Sequence, residues 1–436
     1  MSIRIPGRSL LVVFLLAAIC GVFLPRAQAA DVTLEQCVEL ALKQNHALQA
    51  QRLELSSRRE LAKGVVGLAG PKVEFAGGYQ WQSEPTGLIP AHGLTVPAVF
   101  DTRMGQYSLN LRQVVYDAGK TGAIIRYQRH SFEQQEQDVQ SGSIQIVGGV
   151  TKAFYRTLQL RETVAAQRDA VAALRKLYDD SLIKFNIGRV AEVDLLQVES
   201  QLAAEDEKLL RYQSDLDRQV ISLKALMGAD LNMPLDLTGN LADYQAPKIT
   251  VRDVGRNPEV QKAVKRKEQA QDLLASARAD SAVQISLGGQ YNLKRLPASQ
   301  DEMWTVGLQA NLPVFDGGVI AAGIRQAKFQ LAKADEGYKN VLNDTAALAV
   351  SLENNFPAAT ARVGAAGKAR SRAEESYRIM ELSYRVGRAS VTELLVTQSA
   401  MTSAQAAYYQ AVFDQIVLQI ELAAAYGEMP YANTAK

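Results

Sequence analysis

The chain has 436 residues, of which 47% are hydrophobic and 22% are charged, a composition typical of a folded protein. Its 48 Lys and Arg nearly balance its 46 Asp and Glu, so it lacks the basic excess of a nucleic-acid-binding protein. Its two Cys and three His do not show metal-ligand spacing. We therefore expect no metal, no cofactor and no nucleic-acid partner.

Residues 1–29 have the pattern of a secretory signal peptide. Arg4 and Arg8 precede an apolar run over residues 10–24, and an Ala-x-Ala cleavage signal ends at Ala29. The run is shorter than the roughly 20 residues that a membrane-spanning helix needs. Removing this segment takes away three Arg and no acid, which changes the net charge from +2 to −1. No later segment is long and apolar enough to span a bilayer, so the exported chain is expected to be soluble or a β-barrel.

The rest of the chain contains an internal sequence repeat. Val115-Tyr116-Asp117-Ala118-Gly119 returns as Val314-Phe315-Asp316-Gly317-Gly318. The spacing from Val115 to Val314, here called the main offset, holds from residue 115 to 228. Asn45 matches Asn257 at a longer spacing, here called the upstream offset. We predict a first repeat over 30–228, a connector over 229–254, a second repeat over 255–427 and a C-terminal tail over 428–436.

The first repeat contains four predicted kinds of element. Residues 32–68 have helical apolar spacing, and residues 71–83 then alternate between apolar and polar side chains as a strand does. A Pro- and Gly-rich loop leads to a second alternating run around Leu109. A helix is predicted from Asp117 to about Ile183, roughly 100 Å long. After a turn at Gly188, a return helix carries leucines at a heptad spacing from Leu195, which indicates a coiled-coil seam.

The second repeat has the same order, with strand patterns at 283–293 and 304–312, a long helix from Asp316 to about Leu382, a turn at Gly387 and a looser return helix. Each chain thus offers four amphipathic strands. Four strands cannot close a barrel, and lipid does not tolerate open strand edges. Three chains would supply 12 strands, an even number, around a pore. Five aromatic residues on these strands suit the girdles at the membrane surfaces: Tyr79, Trp81, Tyr107, Tyr291 and Trp304.

The signal peptide, the repeated Val-[Tyr/Phe]-Asp-x-Gly motif and the repeated [Phe/Tyr]-x-[Ile/Val]-Gly-Arg turn together resemble the TolC-like outer-membrane factors of efflux and type I secretion systems. The resemblance covers essentially the whole mature chain. It implies a membrane α/β fold with two internal repeats, in which a trimeric 12-stranded outer-membrane β-barrel continues into a periplasmic α-helical coiled-coil barrel. It also implies an efflux exit duct in the outer membrane, with an iris-like periplasmic gate, and no enzymatic activity.

The partners implied are two further copies of the chain, outer-membrane lipid, a periplasmic adaptor protein and an inner-membrane pump. By resemblance, Asp194 and Glu393 match acids of the gate, although the family's second acidic position is Val396 here and its tethering Arg position is Ala389. The full set of gate candidates is Asp194, Glu393, Arg189, Arg388 and Tyr384. Adaptor docking is assigned to the hairpin turns, at Phe185, Asn186, Gly188, Val190, Arg385, Gly387 and Ser390.

Simpler interpretations of these residues remain open. Asp194 and Glu393 could only complement the helix macrodipole in the first turn of each return helix. Gly188 and Gly387 could serve only the backbone of a tight turn. Two other functions also remain, namely the exit duct of a type I protein secretion system and a soluble periplasmic coiled-coil scaffold.

Overall fold

The computed structural model describes residues 31–83, 103–245, 252–295 and 300–431. The predicted signal peptide and most of the first strand-connecting loop lie outside these ranges. Within them, no helix is both long and apolar enough to cross a lipid bilayer.

The elements follow the predicted duplicated order. The first repeat contains β1 (Asp31–Val32), α1 (Leu34–Gln44), α2 (His46–Val66), β2 (Lys72–Trp81), β3 (Arg103–Tyr116), α3 (Lys120–Asn186) and α4 (Glu192–Met227). After the short strand β4 (Asp236–Leu237), the second repeat contains α5 (Pro258–Ala279), β5 (Gln284–Arg295), β6 (Gln300–Asn311), α6 (Val319–Arg385) and α7 (Val391–Ala425). Helices dominate the described residues. The four long strands form one sheet, and the short strands β1 and β4 pair with each other in parallel.

The two long helices, α3 and α6, have 67 residues each, and their first residues, Lys120 and Val319, are related by the main offset. Each is therefore roughly 100 Å long. The predicted length is confirmed, although both helices begin slightly later than expected. The shift arises because Asp117 and Asp316 lie before the helices and cap them. Each carboxylate accepts two backbone N–H bonds, from Gly119 and Thr121 in the first repeat and from Gly318 and Ile320 in the second.

These caps differ between the repeats at one position. Ala118 has a φ of 54°, the left-handed region, where its counterpart Gly317 has a φ of 69°. A side chain in this region costs roughly 1–2 kcal/mol because Cβ approaches the following carbonyl oxygen.

Replacing Ala118 by glycine is therefore expected to stabilise the protein, by about 0.5–1 kcal/mol after the flexibility of glycine in the unfolded chain is subtracted. Gly317→Ala should destabilise it by a similar amount. Thermal unfolding of both variants, followed by circular dichroism, checks the sign. Destabilisation by Ala118→Gly would contradict the strain assigned to this turn.

The predicted helix over 32–68 is instead two helices, which break at Asn45. The Asn45 side chain caps α2 by accepting the N–H groups of Ala47 and Leu48, and its amide donates to the carbonyl of Leu226 at the end of α4. Asn257 does the same for α5 and the end of α7. Each short helix thus begins where a return helix ends, so the pair stacks end to end beside one long helix.

The four long strands form one antiparallel sheet in the order β2-β3-β5-β6. Lys72 of β2 lies opposite Arg112 of β3, and Gln284 of β5 lies opposite Asn311 of β6. The second pair follows from the first when the upstream offset is applied to β2 and the main offset to β3, so both hairpins have the same register. β3 joins β5 in the middle, and β2 and β6 form the two edges. Within the described ranges, the chain thus supplies four long strands whose sheet has an unpaired edge on each side, as predicted.

The largest core lies at mid-height of the helices. It contains Phe154, Leu158 and Ile420 together with Leu237 and Leu241 from the segment between the repeats. Arg161 of α3 donates to the carbonyl oxygens of Leu237 and Gly239 at 2.6 and 2.9 Å. This segment is therefore packed on the middle of α3, and the remaining length of the hairpins projects beyond it.

Candidate functional site

The helical hairpins end in two turns of the same geometry. Gly188 and Gly387 have φ values of 73° and 74°, and each turn closes through the N–H of the glycine and that of the following arginine. Ile187 and Val386, at the tops of these turns, are exposed. Phe185, Asn186 and Arg385 are exposed as well, and Val190 is half-buried. The predicted docking residues therefore lie together at one end of the molecule.

The return helices begin differently in the two repeats. Ser390 and Glu393 form a capping box at the start of α7, in which Ser390 N donates to the Glu393 carboxylate at 2.8 Å and Glu393 N donates to Ser390 Oγ at 3.2 Å. In α4 the corresponding cap is Ala191, whose side chain makes no such bond. The start of α7 is thus capped by side-chain hydrogen bonds, whereas that of α4 has no side-chain cap.

This difference separates the two acids of the predicted gate. Hydrogen bonds from the Ser390 backbone, and then from its hydroxyl, lower the pKa of Glu393. A cap of this kind stabilises the fold at neutral pH, and the contribution is lost as the pH falls through the lowered pKa. Asp194 is half-buried, and no hydrogen bond or ion pair joins its carboxylate to another described residue. Within the described residues, the carboxylate of Glu393 is thus engaged in a helix cap, whereas that of Asp194 has no hydrogen-bond partner.

The basic and aromatic gate candidates have other neighbours within the chain. Arg189 and Arg388 are exposed, and in the described residues neither forms an ion pair with Asp194 or Glu393. Tyr384 lies under the ammonium group of Lys184, 5.1 Å from its ring centroid. The gate candidates therefore share one end of the protein, but one chain does not link them into a network.

Other residues join the two hairpins near this end. Leu174 and Leu177 of α3 form an apolar cluster with Val198, Val391 and Leu394. Above and below this cluster lie two hydrogen bonds, from Gln398 Nε2 to the Ala170 carbonyl and from Thr392 Oγ1 to Gln197 Oε1, both 2.9 Å long.

These two bonds were not predicted from the sequence. Gln398 offered a weak signal, because this amide stands one helical turn after Leu394 on the buried face of a helix. Thr392 and Gln197 offered none. Near the turns, the two hairpins are thus joined by this apolar cluster, by these two hydrogen bonds and by the contact between Lys184 and Tyr384.

Two grooves flank this contact on opposite faces of the hairpin pair. One, between α4 and α7, is lined largely by apolar side chains such as Val193, Leu196 and Val396. The other, of about 290 Å³, lies between α3 and α6 over α7 and has charged walls. Its charged residues are Lys176, Asp180, Glu381 and Arg385.

At the other end of the molecule, the five predicted girdle aromatics all lie on one face of the sheet. Tyr291 and Trp304 are direct cross-strand neighbours, and the Arg103 guanidinium lies 5.1 Å from the Trp81 ring centroid. This face is apolar and exposed in the single chain, where Trp81 and Trp304 are each 75% exposed. Phe315, which was not among the predicted girdle residues, is 90% exposed at the base of the sheet.

A group of polar side chains below the sheet joins α3 to α5. Ligand atoms of His130, Glu133 and Glu268 lie within 4.8 Å of one another, which is close enough for a metal ion. The Lys265 ammonium, however, contacts both carboxylates, at 3.0 and 2.9 Å. The group is therefore an ion-pair network that already contains its cation.

Known proteins resemble this chain in sequence and architecture. The family model described as "Outer membrane efflux protein" matches residues 37–229 and 254–428. The toluene efflux pump outer membrane protein TtgC of Pseudomonas putida is 23% identical over 427 residues, covering 93% of this chain and 85% of that protein. The outer membrane protein TolC of Escherichia coli is 20% identical over 346 residues, covering 74% and 69%. The crystal structure of the Campylobacter jejuni CmeC outer membrane channel superimposes with a TM-score of 0.82 at 18% identity, covering 92% of this chain and 87% of that one.

Proposed function

Because the chain belongs to the outer membrane efflux protein family, we infer that it is the outer-membrane exit duct of a tripartite efflux system. The protein is located in the outer membrane, and its helices extend into the periplasm. Its family and fold are those of outer membrane channels rather than of enzymes. The match of the family model to both repeats is the observation that carries this function.

We propose that three copies form the duct. Among the residues that the structure describes, no strand pairs with the outer edges of β2 and β6, and lipid requires that every strand edge be paired. Three chains supply 12 strands. Two chains would supply eight, and side chains would fill the interior of an eight-stranded barrel. The apolar face would contact lipid. The opposite face, which carries Ser108, Asn110, Gln290 and Asn292, would line the aqueous pore.

The aromatic residues of the lipid-facing side would anchor the barrel at the membrane surfaces. Tyr79 and Trp81 stand at the end of β2 that is farthest from the helices, and Phe315 stands at the helical base of the sheet. Aromatic side chains favour the boundary between lipid and water. Tyr107, Tyr291 and Trp304 lie between these levels, so we propose an outer anchor that is broader than a single ring.

The gate would lie at the hairpin turns, with Asp194 as its acid. In a trimer, three Asp194 carboxylates around a narrow axis would attract cations and repel anions. Glu393 would instead hold the start of α7 through its capping box with Ser390. Arg189, Arg388 and Tyr384 lie at the same end, where contacts between chains would complete the closed state.

The periplasmic adaptor would dock on the outer surface of this end, and the inner-membrane pump would supply the energy. The exposed turns over 185–190 and 385–390 and the charged groove between α3 and α6 offer the docking surface. Opening would then require that the hairpins separate, which breaks the Thr392–Gln197 and Gln398–Ala170 hydrogen bonds but leaves each hairpin intact.

Purified protein tests the proposed assembly and pore together. Native mass spectrometry in detergent is expected to give a trimer, and planar bilayers are expected to show single channels of low conductance. A monomer that stays soluble without detergent and forms no channel would overturn the exit-duct function. A trimer without channels would contradict only the passive pore.

A further inference from the structure

In the part of the chain that the structure describes, one side of the second repeat has no partner. The buried residues of α6 are only Ala327, Ala349 and Leu352, whereas α3, of equal length, has many. Large apolar side chains are exposed along this side and on α2 at the other side, with Phe329 at 74% and Leu53 at 71%. The strand edges β6 and β2 lie on the same two sides.

The chain itself contains a template for covering these surfaces. Inside one protomer, α5 and β5 pack against α3 and β3. The main offset makes α6 and β6 the copies of α3 and β3, and the upstream offset makes α2 and β2 the copies of α5 and β5. The equal registers of the two hairpins support both offsets residue by residue. A partner's α2 and β2 can therefore pack on α6 and β6 as α5 and β5 pack on α3 and β3.

The internal contact is strongly polar. Arg126 Nε and His130 Nδ1 each lie 2.9 Å from the carboxylate of Asp272, which is almost fully buried. Lys265 joins Glu133 and Glu268 beside them. An ion network thus fastens α3 to α5.

Translating this network by the two offsets changes its chemistry. The pair Arg126 and Asp272 becomes Arg325 and Glu60, which preserves both charges. The other members become apolar or small. His130 becomes Phe329, Glu133 becomes Ala332, Lys265 becomes Leu53 and Glu268 becomes Ser56.

We propose that the residues obtained by this translation form the contact between subunits. Phe329 and Ala332 pack on the partner's Leu53, and Arg325 pairs with the partner's Glu60. In the sheet, Leu109 lies opposite Tyr291 within the chain. The same translation places Leu308 of β6 opposite the partner's Tyr79. The inference rests on the proposed trimer and gives its interface a residue-level register.

A pair of cysteines tests the register. Tyr79→Cys and Leu308→Cys are placed together in the full chain, and oxidation is expected to link the subunits into a covalent ring of three on a non-reducing gel. Within one chain the two positions are on opposite edges of the sheet, three strand spacings of about 4.8 Å apart, and Tyr79 is level with Gln300 rather than with Leu308. They are therefore more than about 14 Å apart. This exceeds the roughly 7 Å limit for a disulfide. The native Cys37 is buried, and each single-cysteine variant measures its contribution.

The matched control combines Leu308→Cys with a cysteine at Gln80 instead of at Tyr79. Its side chain points to the other face of the sheet, because neighbouring residues on a strand alternate. Efficient linkage through Gln80→Cys and Leu308→Cys would overturn the proposed register. No linkage by either pair, in a protein whose native mass is that of a trimer, would overturn this interface and leave the trimer standing. A native mass other than a trimer would overturn the trimer itself.

Charge reversal tests the helical part independently. Arg325→Glu alone and Glu60→Arg alone are expected to lower the temperature at which the trimer dissociates in detergent, and the double variant is expected to recover much of the loss. If the dissociation temperature of the double variant fell by the sum of the two single losses, these two residues would not face each other.

Discussion

Alanine in place of Gly228 is expected to be among the most damaging single substitutions in the helical region. Gly228 ends α4 with a φ of 68°, and a Cβ at this position would lie 2.7 Å from the carbonyl oxygen of Gln44. The neighbouring atom is backbone at the α1–α2 break, so it cannot move without shifting a helix end. We expect a loss of about 2–4 kcal/mol, the sum of left-handed strain and displaced packing.

Gly188→Ala provides the control for this prediction. Its φ of 73° is almost the same, but nothing lies within 4 Å of the added Cβ. Only the backbone strain applies, at about 1 kcal/mol. Thermal unfolding of the two variants in the same detergent separates the two contributions. Equal losses of stability would show that the contact with Gln44 does not matter.

Asparagine in place of Asp194 is expected to have the largest effect on conduction. The substitution removes a negative charge from each subunit at the proposed constriction and keeps the shape of the side chain. Charges focused in a narrow, low-dielectric passage change local ion concentrations by about tenfold or more. We therefore expect the ratio of cation to anion permeability to fall by about tenfold, as measured from reversal potentials in a salt gradient.

The two acids should behave differently in this measurement. Glu393→Gln is expected to leave the permeability ratio close to that of the parent, because the Glu393 carboxylate is engaged in the cap of α7. Ser390→Ala weakens the same cap and retains the charge, so it should resemble Glu393→Gln in stability. A large loss of selectivity in Glu393→Gln with none in Asp194→Asn would reverse the proposed assignment.

Much of the fold could be predicted because the duplication repeats every decisive signal. The Asp-x-Gly caps and the Gly turns each occur twice at the main offset, and the alternating strand patterns return at the upstream offset for β2 and at the main offset for β3, so chance matches are excluded. The break at Asn45 could not be located with the same ease. Residues 32–68 contain no proline, and their apolar spacing continues across the break. The pairing of Asn45 with Asn257 carried the missing signal, since both residues are helix caps.

The candidate site was less predictable, for two physical reasons. The Ser-x-x-Glu pattern at 390–393 is a capping signal, and the same carboxylate cannot be fully available to a gate while it accepts these bonds. Contacts between hairpins, such as Thr392 with Gln197, join residues that are far apart in the sequence. The apolar spacing within one helix shows which of its faces is buried but not which other helix packs on that face.

The equal length of α3 and α6 makes the depth of the duct a joint property of both repeats. Because each helix spans 67 residues, all six turns of a trimer would end in one plane. One residue inserted into α3 alone would lower its turn by about 1.5 Å and rotate it by about 100°, so that the rim would no longer be level. The duct can therefore lengthen only through matched insertions in both hairpins, in steps of about seven residues that preserve the packed faces.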